Sequence, residues 1–141
     1  MKRPLKKLLI ANRGEIALRV IRSARLLGLK TVAVFSEADK ASIHVAAADE
    51  SRLIGPASPT ESYLNIDAVM RGAIETGADA IHPGYGFLSE RPAFARAVEK
   101  AGLIFVGPPS SAMEAVGDKV AARRLATRVK VPIVPLSLIH I

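Results

Sequence analysis

Short apolar runs alternate with amphipathic segments along most of the chain. The runs predict buried strands at residues 7–11, 30–35, 51–54, 78–81 and 103–106. Between them, apolar residues spaced three or four apart predict helices at residues 14–27, 42–48, 66–76, 91–101 and 111–128, the last interrupted at Gly117. Such alternation is typical of an open parallel sheet, here of about five strands, with helices on both faces.

Composition limits the class of protein. The chain has 141 residues, of which 50% are hydrophobic and 23% charged, which suits one globular domain. No apolar run approaches the ~18 residues of a membrane span. Residues 1–7 are basic but lack the apolar core of a signal peptide, and cysteine is absent. We therefore expect a soluble, cytoplasmic protein of bacterial type without a membrane partner.

The formal net charge of +7 raises the question of a nucleic-acid partner. Basic residues recur on one predicted helix and cluster near the end of the chain: Arg19, Arg22, Arg25, Arg123, Arg124, Arg128 and Lys130. Aromatic residues make up only 4% of the chain, and no helix-turn-helix or zinc-finger spacing occurs. We expect solvated helix faces or a subunit contact, and otherwise a small anionic ligand such as a nucleotide, but no nucleic acid.

Two loops of unusual composition follow the first and fourth predicted strands, where parallel sheets bind ligands. The first, residues 12–15, contains one glycine and an acidic Glu15 where a dinucleotide site needs G-x-G-x-x-G. This composition disfavours NAD binding, and we expect Asn12 and Glu15 to stabilise the start of the following helix.

The second loop, residues 82–90, has two interpretations. Pro83 stiffens the chain, and Gly84 and Gly86 permit backbone angles that present Tyr85 to a planar ligand, with His82 as a proton carrier or hydrogen-bond anchor. Alternatively, His82 bonds to neighbouring backbone while the apolar residues that follow fill the core. The residues alone leave both open.

Four motifs resemble the N-terminal domain of biotin carboxylases. They are "IANRGEIALR" at residues 10–19, "ESYLNI" at 61–66, "GADAIHPGYGFLSE" at 77–90, and "FVGP" followed by "GDK" at 105–108 and 117–119. Their order and spacing fit the family from about residue 5 to 135. The resemblance implies a Rossmann-like pre-ATP-grasp domain in residues 1–114 and, in residues 115–135, the start of a segment leading into an ATP-grasp domain.

The resemblance also implies an activity and a set of site residues. The family activates bicarbonate with MgATP through carboxyphosphate and carboxylates biotin held on a carrier domain or protein, working with a carboxyltransferase subunit and as a homodimer. Tyr85 matches a tyrosine beside the biotin ring, in the loop with His82, Gly84 and Gly86. Lys119 matches a lysine that contacts ATP phosphate. Arg22 matches a position at the subunit interface, although Leu26, one turn on, offers it no ion-pair partner.

Several expected groups are absent from the sequence. We find no glycine-rich phosphate loop, no Mg²⁺ ligands and no catalytic base, so we expect no catalytic or metal-binding residue in this fragment and no activity from it alone. Residues 136–141 depart from the family as an aberrant apolar tail, and we give His140 no role. Two alternatives remain: the first domain of another ATP-grasp ligase, or a non-catalytic carboxylase-associated binding module.

Overall fold

A computed structural model describes residues 4–134 and contains a five-stranded, all-parallel sheet. The strand order is β3-β2-β1-β4-β5. The strands are β1 Lys7–Ile10, β2 Lys30–Ser36, β3 Glu50–Gly55, β4 Ala80–His82 and β5 Ile104–Phe105. The expected open parallel sheet is confirmed.

Six α-helices connect and follow these strands within residues 4–134. They are α1 Gly14–Leu26, α2 Ile43–Ala47, α3 Ile66–Glu75, α4 Pro92–Lys100, α5 Ser110–Val116 and α6 Lys119–Arg128. Two 3₁₀ turns, Glu37–Asp39 and Pro59–Glu61, lie in the connections after β2 and β3. The break expected at Gly117 separates α5 from α6, and Asn65 caps α3 by accepting a hydrogen bond from Ala68 N at 3.0 Å.

Helices cover both faces of the sheet because successive strand residues point to opposite sides. Leu8 and Ile10 of β1 face α1, in a core that includes Ala17 and Ile21. Leu9, between them, belongs to a larger cluster with residues of α3, α4 and α5. Each face therefore has its own apolar core, which is why the strands appear in the sequence as continuous apolar runs.

The fourth strand lies slightly later in the chain than the sequence predicts. Ala78 N donates to Ala73 O at 3.0 Å, so this residue still belongs to the turn that ends α3. Pairing with β1 then begins at Leu8↔Ala80 and continues to Ile10↔His82. His82, expected in the loop, is consequently the last residue of the strand.

The end of the described chain is the helix α6, followed by a turn and four residues without regular secondary structure. The α6 helix packs against α5 and has no fully buried residue. The predicted tail at 136–141, with His140, lies outside the described residues. Within residues 4–134 no helix is long and apolar enough to cross a membrane.

Candidate functional site

The two unusual loops meet at the point where the sheet reverses its strand order. From β1 the chain proceeds outward through β2 to β3, and then returns to place β4 on the other side of β1. The loops that follow β1 and β4 therefore leave neighbouring strands at the same edge. Ala11 N donates to His82 O at 2.9 Å, the last backbone contact before the two loops separate. A crevice at such a reversal is the usual ligand site of an open α/β sheet.

The side chain of Asn12 joins the two loops. Its Nδ2 donates to Pro83 O at 3.0 Å and to Tyr85 O at 2.8 Å, and its Oδ1 accepts from Arg13 N at 2.9 Å. Only 1% of Asn12 is exposed. We expected this residue to stabilise the start of α1. Its oxygen does bind the backbone of Arg13, just before that helix, but its amide nitrogen holds the second loop.

Gly84 has no room for a side chain beside Asn12. Its φ is +67°, and a Cβ atom built on it would lie 2.6 Å from Asn12 Nδ2. A glycine is thus required here both by the backbone angle and by the close approach of the other loop. Gly86 also has a positive φ, of +70°, but a Cβ atom there would meet nothing within 4 Å.

Tyr85 stands out from the crevice. It is 77% exposed, although the loop on which it lies is tied down at both sides. With residues 12–16 and Phe87 it lines a shallow depression of about 450 Å³. One face of an aromatic ring is therefore available to a planar ligand, as one of the two interpretations of the loop requires.

His82 supports the other interpretation. Its Nδ1 accepts from Gly84 N at 3.0 Å, so the side chain holds neighbouring backbone. Burial lowers the pKa of His82, which favours the neutral ring that this bond needs. The side chain lines a separate, mainly apolar cavity of about 350 Å³ beside α1. Leu88 is buried and Phe87 partly buried, so the loop both anchors itself in the core and presents Tyr85.

A pair of stacked aromatic rings lies beside the depression, and the sequence analysis did not predict this stack. The rings of Tyr63 and Phe87 are stacked with centroids 5.1 Å apart and an angle of 18°. Arg13 Cζ lies 5.6 Å from each centroid, within cation–π range. Phe87 adopts a φ of 44°, which is uncommon for a residue with a side chain. The stack connects the first loop, the second loop and the segment before α3.

A carboxylate network lies behind this stack. Asp39 Oδ2 accepts from Tyr63 Oη at 2.8 Å and from Ser36 Oγ at 3.0 Å, and lies 3.4 Å from Arg13 Nη1. Burial alone would raise the pKa of Asp39, but the hydrogen bonds from Tyr63 and Ser36, with the charge of Arg13, lower it. Burial and the bond to Asp39 raise the pKa of Tyr63 to about 12, so its hydroxyl keeps the proton it donates.

The side chain of His44, in α2, binds the backbone at the start of α1. Its Nδ1 accepts from Gly14 N at 3.3 Å, and its Nε2 lies 3.2 Å from Val34 O, so Nε2 carries the proton. The ring is buried, and this burial lowers its pKa. Because the Gly14 N–H is already bonded and Glu15 adds negative charge, this helix start is poorly suited to a phosphate.

Parallel sheets bind ligands at the carboxyl ends of their strands, and this rule would have identified Ser36 and Asp39 from the sequence. Ser36 ends β2, which neighbours β1, and Asp39 follows it in the 3₁₀ turn. Applying the rule to β2 as well as to β1 and β4 places this polar group at the same edge of the sheet. The stacking of Tyr63 on Phe87 joins residues far apart in the chain, and nothing in the sequence pattern indicates it.

The remaining candidates, Lys119 and Arg22, do not line the depression beside Tyr85. Lys119 is the first residue of α6 and is exposed, while the adjacent Asp118 caps the helix by accepting from Ala121 N at 2.8 Å. Arg22 is exposed on α1, and Leu26, one turn later, is 89% exposed. No hydrogen bond or ion pair within residues 4–134 joins Lys119 or Arg22 to the loop of Tyr85. The same residues contain no group of three or more His, Cys, Asp or Glu arranged to hold a metal ion.

The strand order defines an α/β domain with a crevice where the parallel sheet reverses its strand order. The profile of the family "Biotin carboxylase, N-terminal domain" matches residues 4–113. This chain belongs to that family, and the family expected from its four motifs is confirmed.

Curated relatives agree with this assignment. The chain is 55% identical over 129 residues to the propionyl-CoA carboxylase alpha chain of Ruegeria pomeroyi, covering 92% of this chain and 19% of the relative. It is 56% identical over 133 residues to the mitochondrial methylcrotonoyl-CoA carboxylase subunit alpha of Dictyostelium discoideum, which covers 94% of this chain and 19% of that relative. With the biotin carboxylase of Pseudomonas aeruginosa the identity is 54% over 131 residues, covering 93% and 29%. The chain thus spans between 19% and 29% of the length of these relatives.

Solved structures show the same fold. The pyruvate carboxylase of Rhizobium etli superposes with a TM-score of 0.89 at 53% identity, covering 95% of this chain and 13% of that one. The urea amidolyase of K. lactis superposes with a TM-score of 0.91 at 46% identity, covering 96% of this chain and 8% of that one. The same domain therefore occurs in proteins whose names describe different reactions.

Proposed function

We propose that this chain supplies the biotin-facing wall of a biotin carboxylase, the ATP- and bicarbonate-dependent ligase that carboxylates biotin. The observation that carries the proposal is the exposed Tyr85 ring, held by a tied loop at the ligand-binding edge of the sheet. The ureido ring of biotin is planar, so it suits one face of an aromatic ring. When bound, biotin would supply the ureido nitrogen that accepts the carboxylate.

The residues of this chain would bind and orient, and would not form bonds. Tyr85 would pack against the ring, and the backbone of residues 82–86 would set its position. Lys119 would bring a positive charge to ATP phosphate, for which a mobile ammonium is well suited. The N-terminus of α6, where Lys119 lies, is less available to an anion, because the Asp118 carboxylate already accepts a hydrogen bond from its first turn.

The magnesium ion and the chemistry would depend on other parts of a longer polypeptide. Mg²⁺ needs carboxylate oxygens beside the substrate phosphates, and residues 4–134 provide no cluster of such groups. We accordingly assign no catalytic and no metal-binding residue here, and we propose that this chain alone is inactive. The proposal includes a biotin carrier domain or protein, a carboxyltransferase subunit, a second copy meeting it at Arg22, and a cytoplasmic location.

A chimera tests the proposal directly. Residues 4–134 would replace the matching segment of the Pseudomonas aeruginosa biotin carboxylase, to which this chain is 54% identical over 131 residues. Biotin-dependent ATP cleavage would then be compared with that of the unaltered relative. We expect clear activity that falls when Tyr85 is changed to Ala. A folded chimera without biotin-dependent cleavage would favour the alternative of a non-catalytic binding module.

A further inference from the structure

The position of the Tyr85 ring is set by its backbone and not by its own packing. With 77% of the residue exposed, few contacts restrain the ring itself. Its backbone carbonyl, by contrast, accepts a hydrogen bond at 2.8 Å from Asn12 Nδ2, and the carbonyl of Pro83 accepts another at 3.0 Å from the same nitrogen. One side chain therefore holds the turn on both sides of Gly84.

An asparagine is well matched to this task. A neutral amide has two N–H donors on one nitrogen, and the two carbonyls use both of them. Its oxygen accepts from Arg13 N, so both the nitrogen and the oxygen of the amide are engaged. Because Asn12 is almost completely buried, water is poorly placed to replace a lost donor. A carboxylate of the same shape would keep the bond to Arg13 N and place negative charge against two carbonyl oxygens.

We infer that Asn12 is a positioning residue for ligand recognition by Tyr85. It ties the turn of residues 83–85 to the end of β1, and it thereby fixes the direction in which the exposed ring faces a planar ligand. The functional part of this inference rests on the proposed biotin-facing role of Tyr85. The structural part, that the turn depends on the Asn12 amide, stands without it.

The structural part is tested on the whole 141-residue chain by Asn12→Asp, which removes the two donors and places negative charge against the two carbonyl oxygens. Asn65→Asp is the matched control, since Asn65 uses its Oδ1 to accept from Ala68 N, and aspartate retains that acceptor. In ¹⁵N-resolved NMR spectra with amide exchange, we expect Asn12→Asp to shift the amides of residues 84–87 and speed their exchange. Asn65→Asp should leave them in place. Unchanged loop amides in a folded Asn12→Asp chain would overturn the inference.

The functional part is tested in the chimera with free biotin. Losing the two bonds should raise KM for biotin about tenfold and leave KM for ATP unchanged, whereas a general loss of folding would lower kcat without separating the two KM values. If Tyr85→Ala raises KM for biotin and Asn12→Asp does not, the positioning role is wrong and the biotin-facing role stands. If neither variant changes KM for biotin, the biotin-facing role fails, and the NMR comparison alone decides whether Asn12 holds the turn.

A second variant covers the case in which Asn12→Asp does not fold. Gly84→Ala leaves Asn12 intact and forces it away, because the new Cβ atom would meet its amide nitrogen at 2.6 Å. It should reproduce the selective rise in KM for biotin. A folded Gly84→Ala chimera with wild-type KM for biotin would contradict the inference as directly as the first variant.

Discussion

Asn12 and Gly84 approach each other so closely that only a glycine fits: an added Cβ atom would lie 2.6 Å from Asn12 Nδ2 and 2.9 Å from its Cβ. Gly84→Ala should therefore destabilise the chain by more than the cost of its backbone angle. Gly77→Ala is a matched control, since Gly77 has a φ of +64° and open space around it. We expect about 1–2 kcal/mol for Gly77→Ala and a further ~1–3 kcal/mol for Gly84→Ala.

Urea unfolding of both variants and the wild type measures these free energies of unfolding. Equal destabilisation by the two substitutions would show that the contact between the loops is loose in solution.

The hydroxyl of Tyr63 should stabilise the fold through Asp39. Tyr63→Phe removes a donor to the carboxylate and the acceptor of Ser36 N, which lies 3.2 Å away. We expect a loss of about 1–3 kcal/mol at neutral pH, because Ser36 N loses an acceptor at a buried position and the Asp39 carboxylate loses one of its donors. Tyr85→Phe, which removes an exposed hydroxyl, is the control and should leave the free energy of unfolding nearly unchanged.

The same network predicts part of the acid sensitivity of the protein. The pKa of Asp39 is lower in the folded chain than its ordinary value, so unfolding takes up a proton in acid. The stabilisation is fully present above about pH 4 and is lost as the pH falls through the lowered pKa. Asp39→Asn should flatten the decline in the free energy of unfolding over this range. Superimposable pH profiles for Asp39→Asn and the wild type would contradict the assignment.

Tyr85 is predicted to matter for ligand binding and little for folding. Because its ring is largely exposed, Tyr85→Ala should change the free energy of unfolding by no more than about 0.5 kcal/mol. In the chimera it should impair turnover with biotin by about 1–3 kcal/mol in kcat/KM, while Tyr85→Phe retains the ring and most of the activity. Biotin kinetics unaffected by Tyr85→Ala would remove the basis of the proposed function.

Lys119 is predicted to act on ATP. In the chimera, Lys119→Gln should raise KM for ATP far more than KM for biotin, because it removes a charge and keeps a side chain of similar length. Lys100→Gln, at an exposed position at the end of α4, serves as the control. Parallel changes in both KM values, or none, would assign Lys119 to the solvated surface.

The chain alone should not carboxylate biotin. Charge in phosphoryl transfer is stabilised by metal ions and converging cations, and residues 4–134 contain no cluster suited to a metal ion. Purified protein, assayed for bicarbonate-dependent ATP cleavage with free biotin, should match the blank without protein. Cleavage that persists after host carboxylases are excluded would mean that residues of this chain perform the chemistry.

The sequence by itself determined the parallel sheet, its order of elements and the family. Hydrophobic runs and helical spacing are local properties, and a strand buried on both faces must be apolar throughout. The positions of Tyr85 and its flanking glycines could also be predicted, since a turn after a strand needs particular residues. The family motifs identified the family, which no pattern of strands and helices would have done.

Only the tertiary structure decided how the loops are held. Asn12 reaches Pro83 and Tyr85 because β1 and β4 become neighbours, although about seventy residues lie between the two strands in the sequence. Likewise Tyr63, Phe87 and Arg13 form one stack through contacts between distant segments. A buried amide or an aromatic ring has many possible partners along a chain, and the packing of the folded elements alone selects among them.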